Sequence, residues 1–149
     1  MIMKNAYRSL AIQTIFSGII MYLVMFVMID NLGSFYNNLN MVYMTLMMVA
    51  PMVVLMVLAM RDMFPSKSAN TALLVVSVVI FLGCFVLIRT QTTIGDRAFL
   101  RSMIPHHSGA ILMCQQAKLS DPEVVRLCGG IIKSQRQEIS EMKRILSRM

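Results

Sequence analysis

The sequence predicts an all-α membrane protein in which three transmembrane helices precede a helical hairpin. Three apolar runs, at about residues 10–29, 41–60 and 71–88, contain no charged residue. Each approaches the ~20 residues that an α-helix needs to cross a bilayer. Beyond the third run, apolar residues instead recur at helical spacing among polar ones, which is typical of amphipathic helices. We therefore predict a three-span anchor over residues 1–89 and a helical hairpin domain over residues 90–149.

The first apolar run must be distinguished from a cleavable signal peptide. Overall composition favours a membrane protein, since 57% of the residues are hydrophobic and 14% are charged. Lys4 and Arg8 give the first run a basic start, as in a signal peptide. The run is too long for a typical signal core, however, and no small-residue cleavage site follows it. We interpret it as an uncleaved signal anchor.

The distribution of basic residues predicts the orientation. Lys4 and Arg8 precede the first span, and Arg61 and Lys67 follow the second, whereas the first loop (DNLGSFYNNLN) contains neither Lys nor Arg. The positive-inside rule places the N-terminus and the second loop in the cytoplasm and the tail on the extracytoplasmic side. Three arginines near the membrane end of the tail oppose this orientation: Arg89, Arg97 and Arg101. We give precedence to the first span, which usually sets the orientation.

Methionine is strongly enriched, with 17 residues in the chain. Seven in the second span follow the helical period and share one face: Met41, Met44, Met48, Met52, Met56, Met60 and Met63. Flexible thioethers fill gaps between helices, so packing is the favoured interpretation. The alternative is a thioether ladder that conducts Cu(I) across the bilayer. That local pattern resembles the MxxxM pair in a span of three-helix copper uptake transporters.

The tail is predicted to form two helices, at about residues 96–118 and 121–147. Ser120 is the expected N-cap of the second helix, with Pro122 just inside it and Glu123 completing a capping box. Pro105 is expected to kink the first helix or to mark its start, with Ser102 near the cap. The predicted face of the first helix comprises Phe99, Met103, His107, Ala110, Cys114 and Ala117. That of the second comprises Val124, Leu127, Cys128, Ile131, Glu138, Met142 and Ile145.

Folding the hairpin about residue 121 brings residues with metal-binding side chains together. Cys114 then lies opposite Cys128, which predicts a disulfide in an oxidising compartment or a pair of buried thiols, with a Cu(I) bis-thiolate as a third interpretation. His107 lies opposite Gln135, and Met103 faces the turn that holds Glu138 and Met142. Two adjacent histidines on a helix diverge by about 100°, so one of His106 and His107 is expected to face solvent.

The same residues carry a resemblance to a known family. The stretch DRAFLRSMIPHHSGAILM, followed by DPEV and EISEM, resembles the domain-of-unknown-function family 305 over about residues 95–147. The shared core is M-I-x-H-H-x-x-A-x-x-M with a downstream Q-x-x-E-I-x-x-M. The resemblance implies a ferritin-like four-helix bundle, often secreted or membrane-anchored in bacteria, with some members linked to copper binding and tolerance. It does not extend to the three spans.

Carried over position by position, the family's motifs give a ligand set. They fall on Met103, His106, His107, Met113, Gln135, Glu138 and Met142. Met103, His107 and Met142 are the preferred ligands, His106 and Met113 are additional candidates, and Glu138 would bind the metal or orient a histidine. Because this chain holds one helical pair, the resemblance implies a homodimer that completes the bundle.

These observations predict a membrane-anchored copper-binding protein of the bacterial inner membrane. Imidazole and thioether ligands favour copper, as Cu(I) rather than Cu(II), for buffering, tolerance or transfer to a metal-transport or metal-resistance partner. The alternative is a structural or protein-interaction module without metal. No catalytic residues are predicted, because HExxH, P-loop, GxSxG and Glu-x-x-His motifs are absent from the sequence. Nucleic acid is not an expected partner, since basic residues alternate with acidic ones and no aromatic platform accompanies them.

Overall fold

Five α-helices form the protein in the computed structural model, which describes the backbone of residues 2–149 and side chains from residue 6 onward. The helices are α1 (Ile2–Val24), α2 (Leu39–Ala59), α3 (Lys67–Thr90), α4 (Asp96–Gln116) and α5 (Pro122–Ser147). Two short 3-10 turns lie at Leu32–Ser34 and Arg61–Met63, and the described residues contain no strand. The predicted all-α class, with three apolar helices followed by a helical C-terminal part, is confirmed.

The chain divides into two compact units. Residues 2–24 and 40–93 form one, here called the apolar unit, and residues 25–39 and 94–149 form the other, here called the hairpin unit. The connection between α1 and α2 therefore belongs with the C-terminal helices, although the sequence predicted a division at residue 89. Within the hairpin unit, the backbone amide of Asp30 in the connection donates to the Ser108 hydroxyl of α4, 78 residues away in the sequence.

The three helices of the apolar unit are long and apolar enough to cross a membrane. The qualifying segments are Ala6–Val24, Leu39–Ala59 and Lys67–Thr90, and most of their residues are not buried within the protein. Exposed apolar side chains on such helices are suited to contact with lipid. The first helix ends at Val24, before the end of the apolar run at residue 29. Phe26 of this run instead packs against Phe35 in the connection, with ring centroids 4.1 Å apart.

The methionine face of α2 is divided between the core and the surface. Met52 and Met56 pack against the buried cluster of the apolar unit, which comprises Leu10, Val49, Val53, Val57 and Phe64. Met48 and Met44, one and two turns before Met52, are exposed. Packing therefore accounts for the thioethers of Met52 and Met56, whereas those of Met44 and Met48 are suited to contact with lipid.

Polar side chains tie the start of α2 to the end of α3. The amides of Asn40 and Gln91 donate to each other, at 3.2 and 3.0 Å. The hydroxyls of Tyr43 and Thr93 form a further hydrogen bond of 2.8 Å. These contacts fix one end of both apolar helices at the same level, where the chain passes to and from the hairpin unit.

The hairpin unit is built around a small apolar core. Its buried members are Leu100, Ile104, Ile111, Ile139 and Met142. Tyr36 of the connection and Met103 of α4 pack against this cluster while partly exposed. The connection thus adds an aromatic ring to a core that would otherwise come from two helices alone.

The burial pattern of α4 corrects the predicted apolar face. Phe99 is about half exposed, whereas its neighbour Leu100 is buried, and the buried stripe continues through Ile104 and Ile111. The physical reason is that α4 packs against two partners, α5 and the connection, so its buried arc is wider and rotated from the predicted stripe. On α5, Val124 and Leu127 are also exposed, and burial is confined to Ile139 and Met142 nearer its end.

Helix boundaries in the hairpin differ from prediction in detail. Helix α4 runs through Pro105 without a break, so the interpretation that it starts there is wrong, and the Ser102 hydroxyl bonds to the Ala98 carbonyl instead of capping. Asp121, and not Ser120, is the N-cap of α5. Its carboxylate accepts from the backbone amides of Glu123 and Val124, at 2.8 and 3.0 Å. Pro122 occupies the first helical position, where a missing N–H costs nothing.

Candidate functional site

The side chain of His107 in the candidate site is held by hydrogen bonds at both ring nitrogens. Its side chain is buried on α4 and both ring nitrogens are engaged. Nδ1 lies 2.9 Å from the carbonyl oxygen of Met103, one turn earlier on the same helix. Nε2 lies 2.7 Å from Glu138 Oε2 on α5. The imidazole is therefore held in one orientation by contacts at both ends.

The geometry of His107 determines where its protons lie. A carbonyl oxygen can only accept, so Nδ1 carries a hydrogen and donates it to Met103. At Nε2, one proton is shared with Glu138, either as an imidazolium that donates to a carboxylate or as a carboxylic acid that donates to a neutral imidazole. In both arrangements Nε2 is the nitrogen that faces the acidic side chain of α5.

A groove of about 500 Å³ lies where α4 and α5 meet at this pair. Its lining contains the thioethers of Met103 and Met142 beside the imidazole of His107 and the carboxylate of Glu138. Phe99, Ser134, Gln137 and Glu141 complete it. The groove thus combines two soft donors, one imidazole nitrogen and one carboxylate within a single concavity.

The second carboxylate in the groove has another partner. Glu141 accepts two hydrogen bonds from the Arg144 guanidinium, at 2.5 and 2.9 Å. Hydrogen bonding from Arg144 lowers the pKa of Glu141 from its ordinary value. Glu138, whose side chain is half exposed, pairs with His107 and with no arginine among the side chains that the structure describes.

The structure brings together four of the six predicted ligands. Met103, His107, Glu138 and Met142 line the groove, whereas His106 faces solvent and Met113 is half exposed and outside the lining. The divergence of the two histidines follows from their 100° separation on the helix. Across residues 6–149, no cluster of three His, Cys, Asp or Glu side chains is arranged to hold a metal. A metal in this groove would therefore depend on the thioethers.

The cysteines of the hairpin are joined to each other. Cys114 of α4 and Cys128 of α5 form a disulfide with Cα atoms 5.3 Å apart. That separation lies within the ~4.4–6.8 Å that bridged residues require. Cys84, in the apolar helix α3, is a free and buried thiol. In this state Cys114 and Cys128 have no thiolate to offer a metal.

Sequence reasoning missed the role of Ser108 and Gly109, which follow the histidines. Ser108 is fully buried and accepts from the backbone amide of Asp30 at 2.8 Å, while its hydroxyl donates to the Asp30 carboxylate. A Cβ atom at Gly109 would be in ordinary van der Waals contact with the connection, 3.5 Å from the carbonyl oxygen of Met28. Ser108 and Gly109 thus face the connection, while His107 faces α5. No local signal marks a contact that spans 78 residues.

Acidification tests the contact between Asp30 and Ser108. Burial alone would raise the pKa of Asp30, but hydrogen bonds from Ser108, Asn31 and Ser34 bring it below its ordinary value of 3.8. A lowered pKa in the folded state stabilises the protein above pH 3.8, and that contribution is lost as the pH falls through the folded-state value. We expect Asp30→Asn to cost about 1 kcal/mol at neutral pH, after discounting for partial exposure, and little at pH 2.

The measurement is the free energy of opening of the hairpin unit, from hydrogen exchange of its amides, in wild type and Asp30→Asn across this pH range. The difference between the two proteins isolates Asp30 from the other acids that titrate there. A difference that stays constant between neutral pH and pH 2 would contradict the assignment.

The fold and the groove together define a class: a protein of three apolar helices with a disulfide-bridged helical hairpin and a histidine–methionine groove. Residues 86–146 match the family described as a domain of unknown function (DUF305). That match lies in the C-terminal helical part and spans about two fifths of the chain. The chain is 35% identical over 119 residues to "Uncharacterized protein L153" of Acanthamoeba polyphaga mimivirus, covering 78% of this chain and 76% of that protein. The chain belongs to one family with this viral protein. No solved structure is significantly similar to this chain.

The family match confirms the resemblance seen in the sequence but adds no chemistry. Ferritin-like architecture, copper binding and metal tolerance stay predictions. The mimivirus relative has a viral source and a name that states no activity. A bacterial source is therefore also still a prediction from the resemblance alone.

Proposed function

We propose that the protein is a membrane-anchored metal-binding protein that holds Cu(I) in the groove between α4 and α5. The observation that carries the proposal is the placement of His107 Nε2 in a groove that the side chains of Met103 and Met142 also line. Imidazole and thioether donors together favour copper over magnesium, calcium or manganese. Two thioethers favour Cu(I), the softer copper ion.

The hydrogen bonds of His107 suit a metal ligand. Metal-binding histidines commonly donate their second ring N–H to a carbonyl or carboxylate, which fixes the tautomer and the ring plane. Here Nδ1 donates to the Met103 carbonyl, so Nε2 would be the coordinating nitrogen. Glu138 would move from Nε2 and either join the metal or accept a hydrogen bond nearby. Coordination requires an unprotonated Nε2, so a proton held between Nε2 and Glu138 would pass to Glu138 or to solvent.

The disulfide supports a location of the hairpin outside the cytoplasm, since bonds such as Cys114–Cys128 form and persist in oxidising compartments. The connection at residues 25–39 belongs to the hairpin unit, so the first loop and the tail would share one side of the membrane in either orientation. The two spans between them, α2 and α3, are consistent with that arrangement. We therefore place the N-terminus in the cytoplasm and the hairpin on the extracytoplasmic face, in a bacterial plasma membrane.

The proposed role is to hold, buffer or transfer copper, without catalysis. The hairpin would be half of a ferritin-like four-helix bundle, completed by a second copy of the chain. Exposed apolar side chains on the hairpin support self-association: Phe99, Met113, Val125 and Leu127. The recipient of the metal would be a transport or resistance protein.

The test is a titration of the full chain in neutral detergent, without a histidine tag, with Cu(I) against a competing chelator. Wild type should bind close to one equivalent. His107→Ala should weaken binding at least tenfold, since loss of even a supporting residue typically costs about 10–100-fold. His106→Ala is the matched control, because it removes the neighbouring imidazole from outside the groove, and it should bind as wild type does.

The competing function is a structural module that binds no metal. The specific observation in its favour is that His107 and Glu138 satisfy each other's hydrogen bonds without a ligand. If wild type binds no Cu(I), or if His107→Ala binds equally well while remaining helical, the copper proposal fails. The pair would then serve to join α4 to α5, and Glu138→Gln should lower the stability of the hairpin unit.

A further inference from the structure

A second groove, separate from the histidine–methionine groove, lies in the hairpin unit. It has a volume of about 440 Å³ and is formed where the end of the connection meets the first turns of α4. Its lining comprises Asn37, Asn38, Leu39, Gly95, Asp96, Arg97, Ala98 and Arg101. None of these residues contributes to the proposed copper site.

The residues of this groove are joined directly to the helices of the apolar unit along the chain. Leu39, which lines the groove, is also the first residue of the apolar helix α2. On the other side, α3 ends at Thr90 and the groove lining resumes at Gly95. The amide pair of Asn40 and Gln91 holds these two exits from the apolar unit together. If α2 and α3 cross the bilayer, the groove lies at the level of the lipid headgroups.

The charge of the groove is suited to an anion. Arg97 and Arg101 are exposed, and their spacing of four residues places both on one face of α4. Among side chains from residue 6 onward, neither arginine forms an ion pair. Asp96 offsets one of the two charges, which leaves the lining with a net positive charge. Guanidinium groups form paired hydrogen bonds with phosphate oxygens, and lysine cannot reproduce that geometry.

We propose that this groove binds the phosphate of an anionic phospholipid headgroup. A free phosphate ion would accept the same hydrogen bonds from the two arginines. The groove opens where α2 begins, however, and the bilayer supplies lipid at high local concentration. Bound lipid would fix the hairpin unit against the membrane surface by way of Arg97 and Arg101. The proposal is independent of copper, because no residue is shared between the two grooves.

The experiment measures lipid retained by the full chain in neutral detergent, by native mass spectrometry during titration with phosphatidylglycerol. Each basic residue near an anionic surface contributes about a fivefold factor in affinity, so Arg97→Gln/Arg101→Gln should weaken binding of the first lipid on the order of 30-fold. Lys133→Gln/Arg136→Gln removes the same charge from exposed positions on α5 and should leave binding unchanged. Circular dichroism and titration of free thiols verify that each variant keeps its helices and its disulfide.

Two further additions identify the ligand. Phosphatidylcholine, whose headgroup has no net charge, should bind more weakly than phosphatidylglycerol, and inorganic phosphate should not displace the lipid. Displacement by inorganic phosphate at comparable concentration would assign the groove to a free anion and overturn the lipid proposal. Equal weakening by both charge variants would show diffuse attraction and would also overturn it, as would wild-type binding by Arg97→Gln/Arg101→Gln.

Discussion

Replacing Ile104 with alanine should lower the free energy of unfolding of the hairpin unit by about 2–5 kcal/mol. Ile104 has no exposed surface, and it lies in the cluster that Leu100, Ile111, Ile139 and Met142 form. Truncation removes buried methyl and methylene groups and leaves a cavity that a core this small can only partly close. The cluster has only five buried members, so loss of the Ile104 side chain removes a large share of the apolar contacts that stabilise the unit.

Hydrogen exchange of amides in α4 and α5, measured on the full chain in detergent, gives the free energy of opening of this unit separately from the apolar helices. Val124→Ala is the matched control, since Val124 is 40% exposed on the same hairpin and its truncation should change stability by less than about 0.5 kcal/mol. Equal losses in the two variants would show that the hairpin is not organised around Ile104. A small loss would also weaken the case for a fixed groove, because Met103 and Met142 belong to the same packed cluster.

The architecture could be predicted from sequence because its signals are local. Charge-free runs near twenty residues identify the three apolar helices, and helical spacing with a Ser-Asp-Pro-Glu turn identifies the hairpin. Antiparallel folding about that turn also placed Cys114 opposite Cys128, and the structure joins them. The same folding rule put His107 opposite Gln135, one turn from its actual partner Glu138. The register predicted from the turn is thus accurate to about one helical turn, which identifies neighbouring helices but not hydrogen-bond partners.

The division into two units and the end of α1 depend on contacts between segments that are distant in the sequence. A single sequence carries little signal for such contacts. Asp30 is one polar residue after an apolar run, and Ser108 one small residue after two histidines, so neither indicates the other. Their contact nevertheless joins the connection to α4, and residues 25–39 belong to the hairpin unit. The end of α1 is affected in the same way. Phe26 continues the apolar pattern of the helix but is buried against Phe35 of the connection.

Removing the disulfide by Cys114→Ser/Cys128→Ser should destabilise the hairpin unit by about 3 kcal/mol. The bridge joins residues 14 apart, and closing a loop of about 15 residues in the unfolded chain corresponds to a loss of that size. The effect should be local as well as large. Every residue from 115 to 127 is exposed, so no buried side chain holds the far end of the hairpin together. Without the bridge, amides there should exchange much faster, while those near Ile139 and Met142 keep most of their protection.

A reductant should reproduce the change in wild type and have no effect on the double variant. Titration of thiols in the unfolded protein should find one of the three cysteines free before reduction, which is Cys84, and all three afterward. Unchanged exchange in the double variant would mean that backbone hydrogen bonds alone maintain the far end. Three free thiols in protein isolated from the membrane under conditions that block exchange would have a wider consequence. The hairpin would then lie in a reducing compartment, which would reverse the proposed orientation, and Cys114 and Cys128 would become available as soft ligands.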